Sequence, residues 1–248
     1  MDIITSTSNR LFKHITKLKQ KKYRDESGEF YIEGARNVFD TFSAAPDSVC
    51  AIVLSERAYA EHAERVSSCE VYVMADALMD KLSDTQSCQG VISVNKIPRY
   101  EFPTGERCLL LDRVRDPGNV GTILRTAVAC GYDVVLNDCA DVYSPKVTRS
   151  GMSALLKCRI GANIPHGDIK NSYELIAADI GGGDLFKTSA PRGKYCIVIG
   201  NEANGVAQEI INDCDRVISI PQSNIESLNA AVAAGIMMYT LKYRVGGN

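Results

Sequence analysis

At 248 residues, with 45% hydrophobic and 23% charged residues, the chain has room for one large or two small globular domains, and no stretch has a disordered-type composition. The longest apolar stretch, Ala230 to Leu241, is too short to cross a bilayer, and MDIITSTSNR lacks the apolar core of a signal peptide, so no membrane partner and a cytoplasmic location are expected. Nine cysteines with no C-x-x-C pair and three isolated histidines argue against a disulfide framework and against a metal site, and a net charge of −2 gives no overall attraction to nucleic acid.

In chain order, Leu11, Phe12, Ile15 and Leu18 recur at helical spacing and predict a helix over 10–22. Its other face is basic. Arg10, Lys13, Lys17, Lys19, Lys21, Lys22 and Arg24 come without an acidic residue among them, a pattern that suits either phosphate contacts or a solvated helix face. Phe30 to Ile32 reads as a strand, followed by a helix through Val38 and Phe42. Ala51 to Leu54 is a strand, 56–65 a helix, and Val71 to Val73 and Gly90 to Val94 are strands. Lys96 to Glu106, with two prolines and a glycine, is the candidate linker.

Beyond it, strands and helices alternate as in a mostly parallel sheet. Cys108 to Leu111 is an apolar strand. A loop over 112–118 then leads to a helix from about Val120 to Cys130, closed by Gly131. In this first motif, DRVRDPGNVGTILRTAVACG, the residues Val120, Ile123, Leu124, Ala127 and Val128 form one apolar stripe. Asn119 stands where an N-cap belongs, and Arg125 lies off the stripe, where it should lean back toward the loop 116–119. Asp133 to Leu136 is the next strand and Pro145 to Leu155 a helix. Tyr195 to Ile199 is a buried strand that runs into the second motif, CIVIGNEANGV. There Gly200 and Gly205 flank Glu202, which suits a close backbone approach to a ligand but is not a dinucleotide fingerprint. Val217 to Ile220 ends at Pro221, and a helix rich in small residues runs from about Ser227 to Tyr243 as the third motif. Taken singly, the first also reads as a capped surface helix, the second as a strand-to-helix turn, and the third as a tightly packed terminal helix, which explains its small residues but not Ser227-Leu228-Asn229 at its start.

Taken together and in this order, they resemble the SpoU-type branch of the SPOUT superfamily of RNA methyltransferases. Asn119 and Arg125 match that family's first motif; Gly200, Glu202 and Gly205 its second; and Ile220, Pro221, Ser227, Leu228 and Asn229 its third. The likeness covers residues 107 to about 243. More loosely, SNRLFKHITKLKQKKYR and FYIEGAR resemble the small RNA-binding domain attached to many members. Two departures stand out: the loop IPQSNIESLN is one residue short of the pattern and lacks its usual glycine, and Ser153 stands where a glycine is common.

The resemblance implies an α/β fold. Residues 1–96 would be a small α/β RNA-binding domain, 97–106 a linker, and 107–248 a methyltransferase domain with a mostly parallel sheet, helices on both faces and a deep trefoil knot, a rare exception to unthreaded chains. It further implies that Gly200, Ile220, Gln222 and Leu228 line a pocket for S-adenosylmethionine, largely through backbone groups. Asn119, Arg125, Glu202, Ser227 and Asn229 would serve catalysis, and Arg10, Lys13, Lys17, Lys21 and Arg24 would contact RNA. The protein would act as a homodimer in which Arg125 of one subunit approaches the cofactor of the other. Its target would be a ribose 2′-hydroxyl of structured RNA, ribosomal RNA ahead of transfer RNA. A catalytically silent RNA-binding relative is the alternative, although Arg125, Asn119 and Asn229 are all present. Because guanidinium deprotonation is strongly disfavoured in proteins, Arg125 is expected to remain charged, bind the target phosphate and stabilise the developing alkoxide.

Overall fold

The computed structural model describes residues 2–244 apart from 67, 68, 86 and 101. By compactness the chain divides into two units, one made of the residues up to Pro98 with Asp141–Lys157, the other of Arg99–Ala140 with the chain from Cys158 onward. The change of unit after Pro98 falls within the proline-rich stretch 97–106, which holds no helix or strand among its described residues; Glu101 of that stretch lies outside them.

The first unit contains β1 (Ile3–Ile4), α1 (Arg10–Leu18), α2 (Lys21–Ser27), β2 (Glu29–Glu33), α3 (Ala35–Ala44), β3 (Val49–Ser55), α4 (Glu56–His62), β4 (Val71–Met74), α5 (Asp76–Leu82) and β5 (Val91–Lys96). The strands form a mixed sheet in the order β1-β4-β3-β5-β2, parallel at β1/β4/β3 and antiparallel at β3/β5/β2. Alternate strand residues feed two cores. Tyr31, Val53 and Ile92 meet Ile15 and Leu18 of α1 on one face, and Phe30, Ile52 and Leu54 meet Val38 and Phe39 of α3 on the other.

The single helix expected over 10–22 is two helices. Gln20 is extended (φ −103°, ψ 135°), and the buried Arg24 folds back to donate from Nη1 to the Leu18 carbonyl at 2.6 Å while Nη2 pairs with Asp141. A tertiary partner 117 residues away thus closes α1, which local periodicity cannot register. Asp141 opens the excursion that returns to this unit. Within it are α7 (Pro145–Gly151) and α8 (Ala154–Lys157), where one helix was expected. The break is at Met152 (φ 52°, ψ −145°), which no helix accommodates. Tyr143 packs on Phe30 at 4.8 Å, and Tyr143 and Leu156 join the α3-side core. By compactness, residues 141–157 fall with the first unit, where their apolar and charged partners lie.

The second unit holds β6 (Arg107–Asp112), α6 (Pro117–Cys130), β7 (Asp133–Asn137), β8 (Ile160–Ala162), α9 (His166–Lys170), β9 (Glu174–Asp184), β10 (Tyr195–Ile199), α10 (Gln208–Asp213), β11 (Arg216–Ser219) and α11 (Ala230–Tyr243). Its sheet is wholly parallel in the order β11-β9-β10-β6-β7-β8. The central strands are apolar and buried over Cys108–Leu111 of β6 and the whole of β10, as a sheet covered on both faces requires. Leu110, Val135 and Val198 pack with Ile169 of α9 and Ile210 of α10, while α6 and α11 pack on each other and against β7 and β10. Pairing between β9 and β11 jumps from Ala177/Val217 to Gly183/Ile218, so residues 178–182 bulge out of the ladder.

Candidate functional site

α6 begins earlier than its apolar stripe suggests. Asp116, not Asn119, is the N-cap: its Oδ1 accepts from the Asn119 N–H at 2.7 Å, and Pro117 occupies the first helical position. Asn119 lies in the first turn with its own amide free for longer-range contacts. Gly131 closes the helix in the left-handed conformation. At the other end of the chain, Asn229 caps α11, accepting from Ala231 N–H at 2.9 Å and Val232 N–H at 3.2 Å.

These two asparagines and Glu202 are joined. Asn229 Nδ2 donates to Asn119 Oδ1 at 2.9 Å, and Asn119 Nδ2 donates to Glu202 Oε1 at 2.5 Å. Residues 110 and 83 positions apart thus form one chain of hydrogen bonds, running from the amino end of α11 to a carboxylate. Ser227 is exposed two residues before the cap. Arg125 is exposed on α6 and makes no hydrogen bond or ion pair with a described residue, those of the 116–119 loop included.

Glu202 also lines a cavity of about 420 Å³ within the second unit, in the range of about 300–1,000 Å³ typical of small-ligand sites. Gly200, Ile220, Gln222, Ser227 and Leu228 line it as well, so all four residues expected at a cofactor meet there. Its walls come from the β9 bulge, the loop after β10 and the loop between β11 and α11. The charge of the lining is one-sided. Asp179, Glu202 and Glu226 contribute carboxylates, and among the described residues no lysine, arginine or histidine lines it. At Gly200 a Cβ would stand 2.1 Å from Gly205 C and Val206 N, so only glycine permits the close turn there. The Gln222 Oε1 is buried without a hydrogen-bond partner.

Motif reading missed what holds the loop after β10 in place. The buried Asp112 accepts from Arg113 Nε and Nη2 at 3.0 and 2.8 Å and from the Ala207 N–H at 2.9 Å. Arg113 Nη2 also donates to the Gly205 carbonyl at 3.3 Å, and Asn201 Nδ2 donates to the Arg113 carbonyl at 3.0 Å. Asp112 and Arg113 belong to the first motif's DRVRDPG, but only the fold shows that they serve the second.

The expected RNA-contacting residues separate in the first unit. Arg10, Lys13 and Lys17 are exposed along one face of α1. Lys21 is paired with Asp25 at 2.6 Å on the surface. Arg24 is corrected: it is only 3% exposed, engaged with Leu18 and Asp141, and unavailable to a phosphate. Among the described residues no three His, Cys, Asp or Glu side chains cluster as a metal site, and no helix is long and apolar enough to cross a membrane. All nine cysteines are free thiols.

A parallel α/β sheet with its ligand cavity beyond the carboxyl ends of the strands defines a small-ligand-binding α/β protein. Comparison with known proteins narrows the class. The model of the SpoU rRNA Methylase family matches residues 106–239, and that of the MRM3-like substrate binding domain matches residues 9–93. The chain belongs to the SpoU rRNA methylase family. It is 28% identical to the 23S rRNA (guanosine(2553)-2′-O)-methyltransferase RlmP of Bacillus subtilis over 98% of this chain and 100% of the relative. The AdoMet-bound rRNA methyltransferase from Sinorhizobium meliloti has the same fold, with a TM-score of 0.83 and 26% identity over 97% of each chain. So does the SpoU methyltransferase AviRb from Streptomyces viridochromogenes in complex with AdoMet, with a TM-score of 0.79 and 26% identity over 94% of this chain and 97% of that one.

Proposed function

We propose that the protein methylates a ribose 2′-hydroxyl of structured RNA, ribosomal RNA in particular, using S-adenosylmethionine, and that it works in the cytoplasm as a homodimer with a knotted second unit. The observation that carries this reading is the all-acidic lining of the 420 Å³ cavity, which favours a cationic ligand over a phosphate-bearing one. The name of the Bacillus subtilis relative supports ribosomal RNA and the 2′-hydroxyl. The residues present fit the donor: Gly200 permits the tight turn that shapes the cavity wall, Gln222 Oε1 has no hydrogen-bond donor among the described residues, and three carboxylates oppose its positive charges.

When bound, S-adenosylmethionine supplies a methyl group already activated on positively charged sulfur. The remaining task is alignment, for which positioning can contribute about 7–11 kcal/mol. Gly200, Ile220, Gln222 and Leu228 hold the donor. The chain from Asn229 through Asn119 to Glu202 fixes the rim over which the ribose enters, with Ser227 beside it. Arg125, charged and free of partners among the described residues, binds the target phosphate and stabilises the developing alkoxide. The hydroxyl proton leaves through the phosphate or water.

The homodimer is supported by α11, whose Val232, Tyr239 and Tyr243 are exposed at helical spacing. The knot rests on the likeness of the three motifs to the family's pattern. Calorimetry with S-adenosylmethionine, followed by methyl incorporation into total RNA from a strain lacking the protein, tests the reading. Absence of binding overturns the cofactor assignment; binding with methylation of base atoms alone overturns the ribose assignment.

A further inference from the structure

We infer that the first unit holds an unpaired segment of RNA in a groove between α1 and β4, with phosphates on Arg10, Lys13 and Lys17 and a base against Tyr72. This inference rests on the RNA-methyltransferase reading and names the form of RNA that the first unit recognises.

The groove encloses about 920 Å³ and lies wholly within the first unit. Arg10, Lys13 and Lys17 line it at helical spacing of three and four residues, so their charges follow one side over about 10 Å of helix. Arg10 and Lys13 make no ion pair among the described residues, and Lys17 lies 5.4 Å over the Tyr23 ring, a contact that leaves its charge unneutralised. Of the two lining carboxylates, Glu29 is held by His14 at 2.7 Å, and Asp2 has no hydrogen bond or ion pair among the described residues. The rest of the lining is amphipathic. Tyr72 is half-buried with its hydroxyl engaged, and Ile4 and Leu11 flank the groove.

A stripe of cations and an aromatic ring lining one groove match single-stranded RNA, whose bases are free to stack on protein. A duplex presents phosphates and ribose hydroxyls on a convex surface and would leave Tyr72 idle.

The test uses the full chain and fluorescence anisotropy with a labelled oligouridine and an RNA duplex, each titrated across a range of salt. The oligouridine is expected to bind more tightly. Replacing Arg10, Lys13 or Lys17 singly by Ala should each lower the salt slope by about 0.7. Tyr72→Leu keeps apolar packing but loses the ring, and should weaken binding about 5- to 100-fold with the slope unchanged; Tyr72→Phe should restore it. Preference for duplex, an unchanged slope in the charge variants, or full binding by a Tyr72→Leu protein that melts like the parent would each overturn the inference. Titration with S-adenosylmethionine separates the two claims. If the parent binds the donor and methylates RNA while the groove variants bind RNA normally, the groove assignment alone fails. If the parent binds no donor, the methyltransferase reading fails whatever the groove does.

Discussion

Gly200 shows what a single missing methyl group permits. An alanine there would collide with the backbone of Gly205 and Val206, so the turn after β10 would have to open. Gly200→Ala is expected to cost about 1–3 kcal/mol of stability and to weaken S-adenosylmethionine binding, read by thermal melting and calorimetry. Unchanged donor affinity would remove that turn from the binding site. Arg125→Lys separates a bidentate clamp from a point charge: turnover should fall by at least about tenfold, short of the ~10²–10³ for loss of an oxyanion donor, with donor affinity retained. Near-full activity would sink the clamp. At this scale the identities of Asn119, Glu202 and Asn229 could be read from sequence, but their connection could not. Asn119 looked like a cap because its neighbours fit a helix start; Asp116 takes that role and frees the Asn119 amide to reach across 83 and 110 positions. Arg24 was misread because a basic run looks solvated until its neighbour 117 residues on folds beside it.

Periodicity located most elements and misjudged their interruptions. The apolar spacing of α6 and the unbroken Leu109-Leu110-Leu111 of β6 needed no tertiary information. Elements with little periodic signal, such as the two-residue β1 and the five-residue α9, emerge only from pairing and packing. The β9 bulge is of the same kind, since nothing in ELIAADIGGGD announces a jump in register with β11. The break between α7 and α8 stores backbone strain at Met152, which holds a conformation that favours glycine. Met152→Gly removes a cost of about 1–3 kcal/mol against a glycine entropy cost of about 0.5–1 kcal/mol. The melting temperature should rise, by about 2–4 °C for each kcal/mol of net gain, and a fall below the parent's value would show that the Met152 side chain packs more than the strain costs.

For the whole molecule, the two-part division was legible from the prolines of 97–106, but its discontinuity was not, because 141–157 carry an ordinary helical pattern. That excursion sits in a charged network. Burial pushes the Asp84 carboxyl up, yet hydrogen bonds from Lys19 at 2.8 Å and Tyr31 at 2.6 Å outweigh it and hold it below the usual range, with Arg149 of α7 at 3.9 Å adding to the effect. A carboxyl depressed in the folded state contributes stability above its unfolded pKa of about 3.9 and loses it as pH falls through the folded value. Asp84→Asn should therefore lower the melting temperature at pH 7, and the gap to the parent should close as pH falls below about 4. A gap constant with pH would assign the loss to packing. The same discontinuity has a consequence for biosynthesis. A ribosome delivers Phe30 and Arg24 more than a hundred residues before Tyr143 and Asp141, their partners. The amino-terminal unit consequently waits, one apolar flank bare, until translation has passed Lys157, and a nascent chain arrested before that point would be the natural client of a chaperone.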